Sequence, residues 1–282
     1  VKNLTDEANG VSVKEAGAFF PGHQRDCQAH LRTSNESMRR LVALHGFTGC
    51  GADFKALERA LSGARSVVAP EWPGHGAKSG LREERGYSLQ SHLNAVTEAA
   101  GDSEVELLGY SLGGRIALHW ALAHPDRVRR LILVSASPGL RTERERAERT
   151  AADLALAEFI RAQGVDAFLH YWHGQSMFHS LRSLPRETLD EILAHRRSND
   201  AEGLALSLRH VGTGSLPSLW ERLGELKMPV DLVTGSHDVK FGALAREMVT
   251  LIPRARHGEV EDAGHAVHLE RPGDLAAAVM GR

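Results

Sequence analysis

Three short stretches of this chain each carry one member of a serine, histidine and carboxylate set. Ser111 lies in "LLGYSLGGRIALHW", Asp238 closes "VDLVTGSHD", and His265 lies in "EDAGHAVHLE". A serine hydroxyl is a weak nucleophile and a weak base at neutral pH, so it needs a histidine to draw off its proton. The histidine in turn needs a carboxylate to fix its tautomer. Around Ser111 an apolar run from Val105 to Leu108 passes directly into Gly-x-Ser-x-Gly. Ile116, Ala117, Leu118, Trp120 and Ala121 then recur at helical spacing. So tight a strand-to-helix reversal strains its central residue, and glycines at 109 and 113 remove the side chains that would clash. Asp238 and His265 each lie at a later strand-to-loop junction, in the order Ser, Asp, His. Asp262 is a rival for the acid and His268 a rival for the base, whereas Asp231 begins a strand and stands at its wrong end. The stretch "LHGFTG" at 44–49 leaves another strand. The N–H groups of Phe47 and Leu112 are therefore the expected donors to a developing oxyanion.

These junctions require strands that all end on one side. "LVAL", "SVVAP", the run from Val105, "RVRRLILVSA" and "MPVDLVTG" alternate with helical segments, which predicts a mostly parallel sheet with helices on both faces. From 138 to about 220 the alternation stops and the pattern is helical throughout, with breaks at Gly164, Gly174, Pro185 and Pro217. The expected organisation is a poorly patterned segment at 1–40, an α/β core at 41–137 and 221–282, and an inserted helical cap at 138–220. That cap would cover the strands' carboxyl ends, where open α/β sheets bind ligands.

A chain of 282 residues suits one large domain or a domain with an insertion. The net charge of −2 gives no electrostatic case for nucleic acid or an anionic membrane. No run is apolar and long enough to span a bilayer, and "VKNLTDEANG" lacks the pattern of a signal peptide. Cys27 and Cys50 have no metal-ligand spacing and read as free thiols. The expectation is a cytoplasmic protein, a monomer or small homo-oligomer, without metal or cofactor. Six lysines stand against twenty-eight arginines, so each arginine must be argued into a functional role by its position. Arg115 passes that test, because it lies one helical turn after Ser111 and a cation there is costly unless an anion meets it.

Residues 41–282 resemble the α/β-hydrolase superfamily. A narrower likeness rests on "LHGFTG", "GYSLGGRIALHWALAHP", "SASPGL" followed by "ERERAERTAADLALAEFI", "RRSND" followed by "EGLALSLRHVGTGSLPSLW", and "DVKFGALAREM". Together these look like the 2-succinyl-6-hydroxy-2,4-cyclohexadiene-1-carboxylate synthases of menaquinone biosynthesis. Those enzymes are lyases on a hydrolase fold that eliminate pyruvate from a tricarboxylate. The resemblance implies a Ser111–His265–Asp238 triad and substrate contacts at Tyr110, Arg115, Arg149, Trp172 and Arg197. By residue pattern alone, Arg146 rivals Arg149, Arg196 rivals Arg197, and Trp172 in "HYWHGQ" reads more readily as cap core than as a ligand contact. The alternative activity is a serine hydrolase, either an esterase or a carbon–carbon bond hydrolase, acting on a small carboxylated substrate.

Overall fold

Strands β1 (Arg40–Leu44), β2 (Ser66–Val68), β3 (Val105–Tyr110), β4 (Val128–Val134), β5 (Val230–Gly235) and β6 (Ala255–Val260) form one sheet. The structure, a computed structural model, describes residues 39–281. The strand order is β2-β1-β3-β4-β5-β6, and every neighbouring pair is parallel. The expectations for the N-terminal segment, including Cys27, fall on residues outside the described range except at its end, where Arg40 begins β1.

Alternation along the strands separates two cores. Val42 and Leu44 of β1 and Leu107 of β3 pack with helices α2 (Leu89–Ala100), α3 (Leu112–Ala123) and α7 (Val239–Leu251). Leu41, Ala43 and Leu108 face the other way, onto α1 (Lys55–Leu61), α8 (Val267–Glu270) and α9 (Pro272–Met280). With both faces covered, the central strands are near-continuous apolar runs, as parallel sheets require. Where charged side chains enter the sheet they are paired: Glu106 with Arg65, and Asp231 with both Arg130 and Arg256.

Register brings the strand ends level. Leu44 pairs with Gly109, Tyr110 with Val134, and Gly235 with Val260. From β1 the chain steps outward to β2, then crosses to β3 on the opposite side. The loops leaving β1 and β3 therefore diverge, and a crevice opens between them. Residues 46–49 and Ser111 stand on its two sides.

Between β4 and β5 lie α4 (Glu143–His173), α5 (Arg186–Arg197) and α6 (Ala201–Val211), with no strand among the described residues. Thr142 and Glu145 form a reciprocal capping box that starts α4. Gly164 breaks that helix with φ 78 and ψ 174. Asp200 starts α6 by accepting the Gly203 N–H at 2.9 Å. Ala157, Ile160 and Phe168 of α4 and Leu204, Ala205 and Leu208 of α6 make a third apolar cluster. None of the described helices is long and apolar enough to cross a membrane.

Candidate active site

Ser111 sits between the end of β3 and the start of α3 with φ 51 and ψ −109, a region that L residues occupy only when their surroundings hold them there. The hold comes from close backbone approach. A Cβ on Gly109 would lie 2.5 Å from the Gly113 carbonyl oxygen, and one on Gly113 would lie 2.2 Å from that of Leu44. The glycines at these positions let α3 start directly against the end of β1, which leaves the serine hydroxyl projecting into the crevice.

Asp238 and His265 arrive from the ends of β5 and β6. The His265 Nδ1–H donates to Asp238 Oδ2 at 2.7 Å, and the Ser111 hydroxyl lies 3.2 Å from His265 Nε2. An ionised carboxylate only accepts, so the proton belongs on Nδ1 and Nε2 is left to accept from the serine. Asp238 and His265 are both buried. The rivals stand elsewhere. Asp262 is exposed and lies 3.7 Å from Arg271. His268 is buried against the rings of Tyr110 and Phe54, and burial pushes its pKa down to about 3.

A cavity of about 350 Å³ opens beside Ser111. Phe47, Leu112 and Arg115 line it from the core; Arg149, Asp153, Trp172 and Ser207 line it from the inserted helices; Lys240 and Phe241 line it from α7. Phe47 meets the Trp172 ring edge-on at 5.5 Å, and Phe241 packs 4.5 Å from the His265 ring. The Arg115 Nε is buried without a hydrogen-bond partner. Burial, together with the like charge of Arg149, pushes the Arg115 pKa down to about 10, while Asp153 acts against them. Arg149 spends its Nε on Asp153 Oδ1 at 2.7 Å. The other oxygen of Asp153 is buried and unpartnered. The cavity thus holds cations whose hydrogen-bonding capacity its own carboxylate does not exhaust. Such a set suits an anionic ligand.

The residue pattern matches the family model described as the alpha/beta hydrolase fold over residues 39–272. A Bacillus subtilis protein named putative 2-succinyl-6-hydroxy-2,4-cyclohexadiene-1-carboxylate synthase is 38% identical over 235 residues, which is 82% of this chain and 85% of that one. The chain belongs to that synthase family, within the alpha/beta hydrolase fold. A synthase of the same name from Salmonella paratyphi C is 32% identical, over 82% of this chain and 88% of its own. Among solved structures, MenH from S. aureus superposes with a TM-score of 0.80 at 31% identity, covering 88% of this chain and 94% of that one. An esterase from Thermogutta terrifontis, at 21% identity and a TM-score of 0.72, shares the fold.

Against the residues that the synthase resemblance implied, the structure brings Arg115, Arg149 and Trp172 to the cavity with Ser111 but keeps two others out. Arg197 is exposed on the last turn of α5, where it pairs with Asp166 at 3.2 Å, so it is not a lining residue. Its neighbour Arg196 does not replace it. Arg196 is buried and donates through both Nη atoms to Asp53, each at 2.8 Å. Tyr110, the last residue of β3, faces the opposite core, with its ring 4.2 Å from that of His268, 5.3 Å from that of His265 and pressed on Gly46, so it packs behind the site rather than among the residues around the cavity. Arg146, the rival of Arg149, donates to the carbonyls of Leu140 and Arg141.

Lys240 and Asp153 line the cavity without having been anticipated. A lysine two residues after Asp238, at the start of a helix, was a usable signal for the first. Asp153, four residues after Arg149, stands just beyond a run of alternating charges that gave it no mark of its own.

Cys50, Asp53 and His195 offer ligand atoms within 4.8 Å of one another. Both carboxylate oxygens of Asp53 already accept from Arg196, and burial with the nearby Asp53 charge pushes the Cys50 thiol up to about 11. A guanidinium stands where a metal ion would, so the donor set does not fit one.

That pair yields a stability prediction. Burial opposes ionisation of Asp53, but the charge and hydrogen bonds of Arg196 outweigh it and hold the carboxyl below its usual range. Arg196→Leu strands a buried carboxylate and is expected to cost ~3–5 kcal/mol, whereas Asp53→Leu combined with Arg196→Met recovers most of it. Because the folded-state value is depressed, this stabilisation is complete above the unfolded carboxyl range near pH ~4 and drains away as pH falls through the lower folded value. Denaturant melts at neutral and acidic pH check both the size of the loss and its direction.

Proposed function

We propose that the chain eliminates pyruvate from 2-succinyl-5-enolpyruvyl-6-hydroxy-3-cyclohexene-1-carboxylate to give 2-succinyl-6-hydroxy-2,4-cyclohexadiene-1-carboxylate in menaquinone biosynthesis, as a cytoplasmic lyase. One observation carries the reading beyond family membership. Arg115, with a buried donor that no protein acceptor meets, shares a cavity with Ser111, Arg149 and Lys240. A neutral ester gives such cations no partner, whereas a tricarboxylate does.

In this mechanism Asp238 orients His265, and His265 draws the proton from Ser111. The serine oxygen removes the ring proton α to the succinyl ketone. Charge develops on the ketone oxygen, where the N–H groups of Phe47 and Leu112 stabilise it at ~3 kcal/mol per donor. Electrons move from the broken C–H bond into the ring, the existing double bond shifts by one position, and the carbon–oxygen bond to enolpyruvate breaks. Enolpyruvate takes up a proton and becomes pyruvate. No acyl-enzyme forms.

The test mixes the purified protein with the tricarboxylate made by the preceding enzyme and assays pyruvate, with a chromogenic ester in parallel. Fast pyruvate release with slow ester cleavage is expected. Ester cleavage without pyruvate release assigns the chain to the serine hydrolases instead.

A further inference from the structure

The loop that carries Phe47 is strained, and the side chain that holds it belongs to the inserted helices. Gly49 N–H donates to the Gly46 carbonyl at 3.0 Å, closing a turn whose central residues are Phe47 and Thr48. Thr48 has φ 68 and is buried. It occupies the turn position that a type II geometry reserves for glycine or asparagine. A β-branched residue stays in that region only when its neighbours leave no alternative. The N–H of the preceding residue takes no part in the turn's own hydrogen bond, and Phe47 lines the cavity with Ser111.

Two residues at the junction of α5 and α6 grip this turn. Asn199, buried, donates its Nδ2–H to the Thr48 carbonyl at 2.8 Å and accepts the Gly76 N–H on Oδ1 at 3.1 Å. Just beyond the turn, the Cys50 N–H donates to Asp53 Oδ2 at 3.3 Å, and Asp53 is the partner of Arg196. Through Arg196 and Asn199, the segment "RRSND" therefore fastens the inserted helices to the strand-end loops.

We propose that Asn199 is a positioning residue that holds Thr48 in its left-handed conformation and so aims the Phe47 N–H at the developing oxyanion. This rests on the reading of Phe47 as an oxyanion donor. The amide of Asn199 spans two core loops, so docking of the inserted helices and assembly of the oxyanion site become one event.

The experiment uses the full chain and two readouts: kcat and KM for pyruvate release, and the rate at which a small neutral fluorophosphonate modifies Ser111. The second does not depend on the lyase assignment. Deleting one oxyanion donor costs 10²–10³-fold in kcat, so misaiming it in Asn199→Ala is expected to cost about 10- to 100-fold in both rates, with KM within about twofold. Asn199→Asp, which keeps the acceptor for Gly76 but loses the donor to Thr48, is expected to match it. Adding Thr48→Gly to Asn199→Ala is expected to restore most of the loss, because glycine adopts positive φ without strain. A modification rate for Asn199→Ala within twofold of wild type overturns the proposal, as does a loss that Thr48→Gly leaves unrepaired. Phe47→Pro, compared with Phe47→Ala, tests the donor itself, since proline suits that turn position and lacks the N–H. Equal modification rates for those two variants remove the donor reading, and the proposal with it.

Discussion

Ser111→Ala, Asp238→Asn and His265→Ala are each expected to lower kcat for pyruvate release by a factor on the order of 10³ or more, and non-additively in combination. The three side chains form one hydrogen-bonded chain, at 3.2 Å and 2.7 Å. Once one link is cut, the others have no proton path left to serve. Asp238→Asn is the most informative of the set. An amide in place of the carboxylate presents either a donor or a neutral acceptor to Nδ1 and loses control of the tautomer. Steady-state kinetics on the singles and one double variant check this. Asp262→Asn is the companion measurement, because its carboxylate is exposed and belongs to Arg271. A dead Asp262→Asn beside a normal Asp238→Asn would reverse the acid assignment.

The second large effect separates a lyase from an esterase. Arg115→Ala and Arg149→Ala are expected to cost ~2–5 kcal/mol each in kcat/KM for the tricarboxylate, largely because a substrate carboxylate is then left unpaired in a closed site. Cleavage of a small neutral ester should change little, since it needs only Ser111, His265 and the oxyanion donors. Two arginines outside the cavity serve as controls. Arg144 is exposed and pairs with Glu148 one turn along, and Arg197 pairs with Asp166, so Arg144→Ala and Arg197→Ala are expected to be nearly silent for both substrates. If all four substitutions behaved alike, or if ester cleavage fell as far as pyruvate release, the anionic cavity would have no part in the reaction.

That Ser111, Asp238 and His265 come together could be read from the residue pattern because each lies at a strand-to-loop junction, and parallel strands leave their carboxyl ends on one edge whatever the pairing order. Arg115 was readable for a related reason: its distance from Ser111 is local, fixed by one helical turn. What the pattern did not contain was the choice between adjacent side chains on the inserted helices. Arg196 and Arg197 differ by about 100° around α5, and only the buried Asp53 143 residues away decides which of them turns inward. The placement of Tyr110 was hidden for the same kind of reason. Neighbouring residues of a strand face opposite sides, and the final residue of β3 belongs to the core that packs on α8. The pairing of Arg149 with Asp153 was within reach as an i, i+4 contact, but nothing local marked it as facing a cavity rather than solvent.

The break at Gly164 has a consequence for the width of the ligand space. Arg149 and Trp172 lie on the same helix, and along a straight one they would be ~34 Å apart, far more than a cavity of about 350 Å³ can span. They meet one ligand space only because the helix folds back at φ 78. An added Cβ at Gly164 would have nothing within 4 Å, so the positive φ itself rests on backbone preference, while Ile160 and Phe168, packed with Leu204 and Leu208 of α6, hold the two arms of the helix. One backbone torsion therefore sets the separation of Arg149 and Trp172, and with it the width of the ligand space.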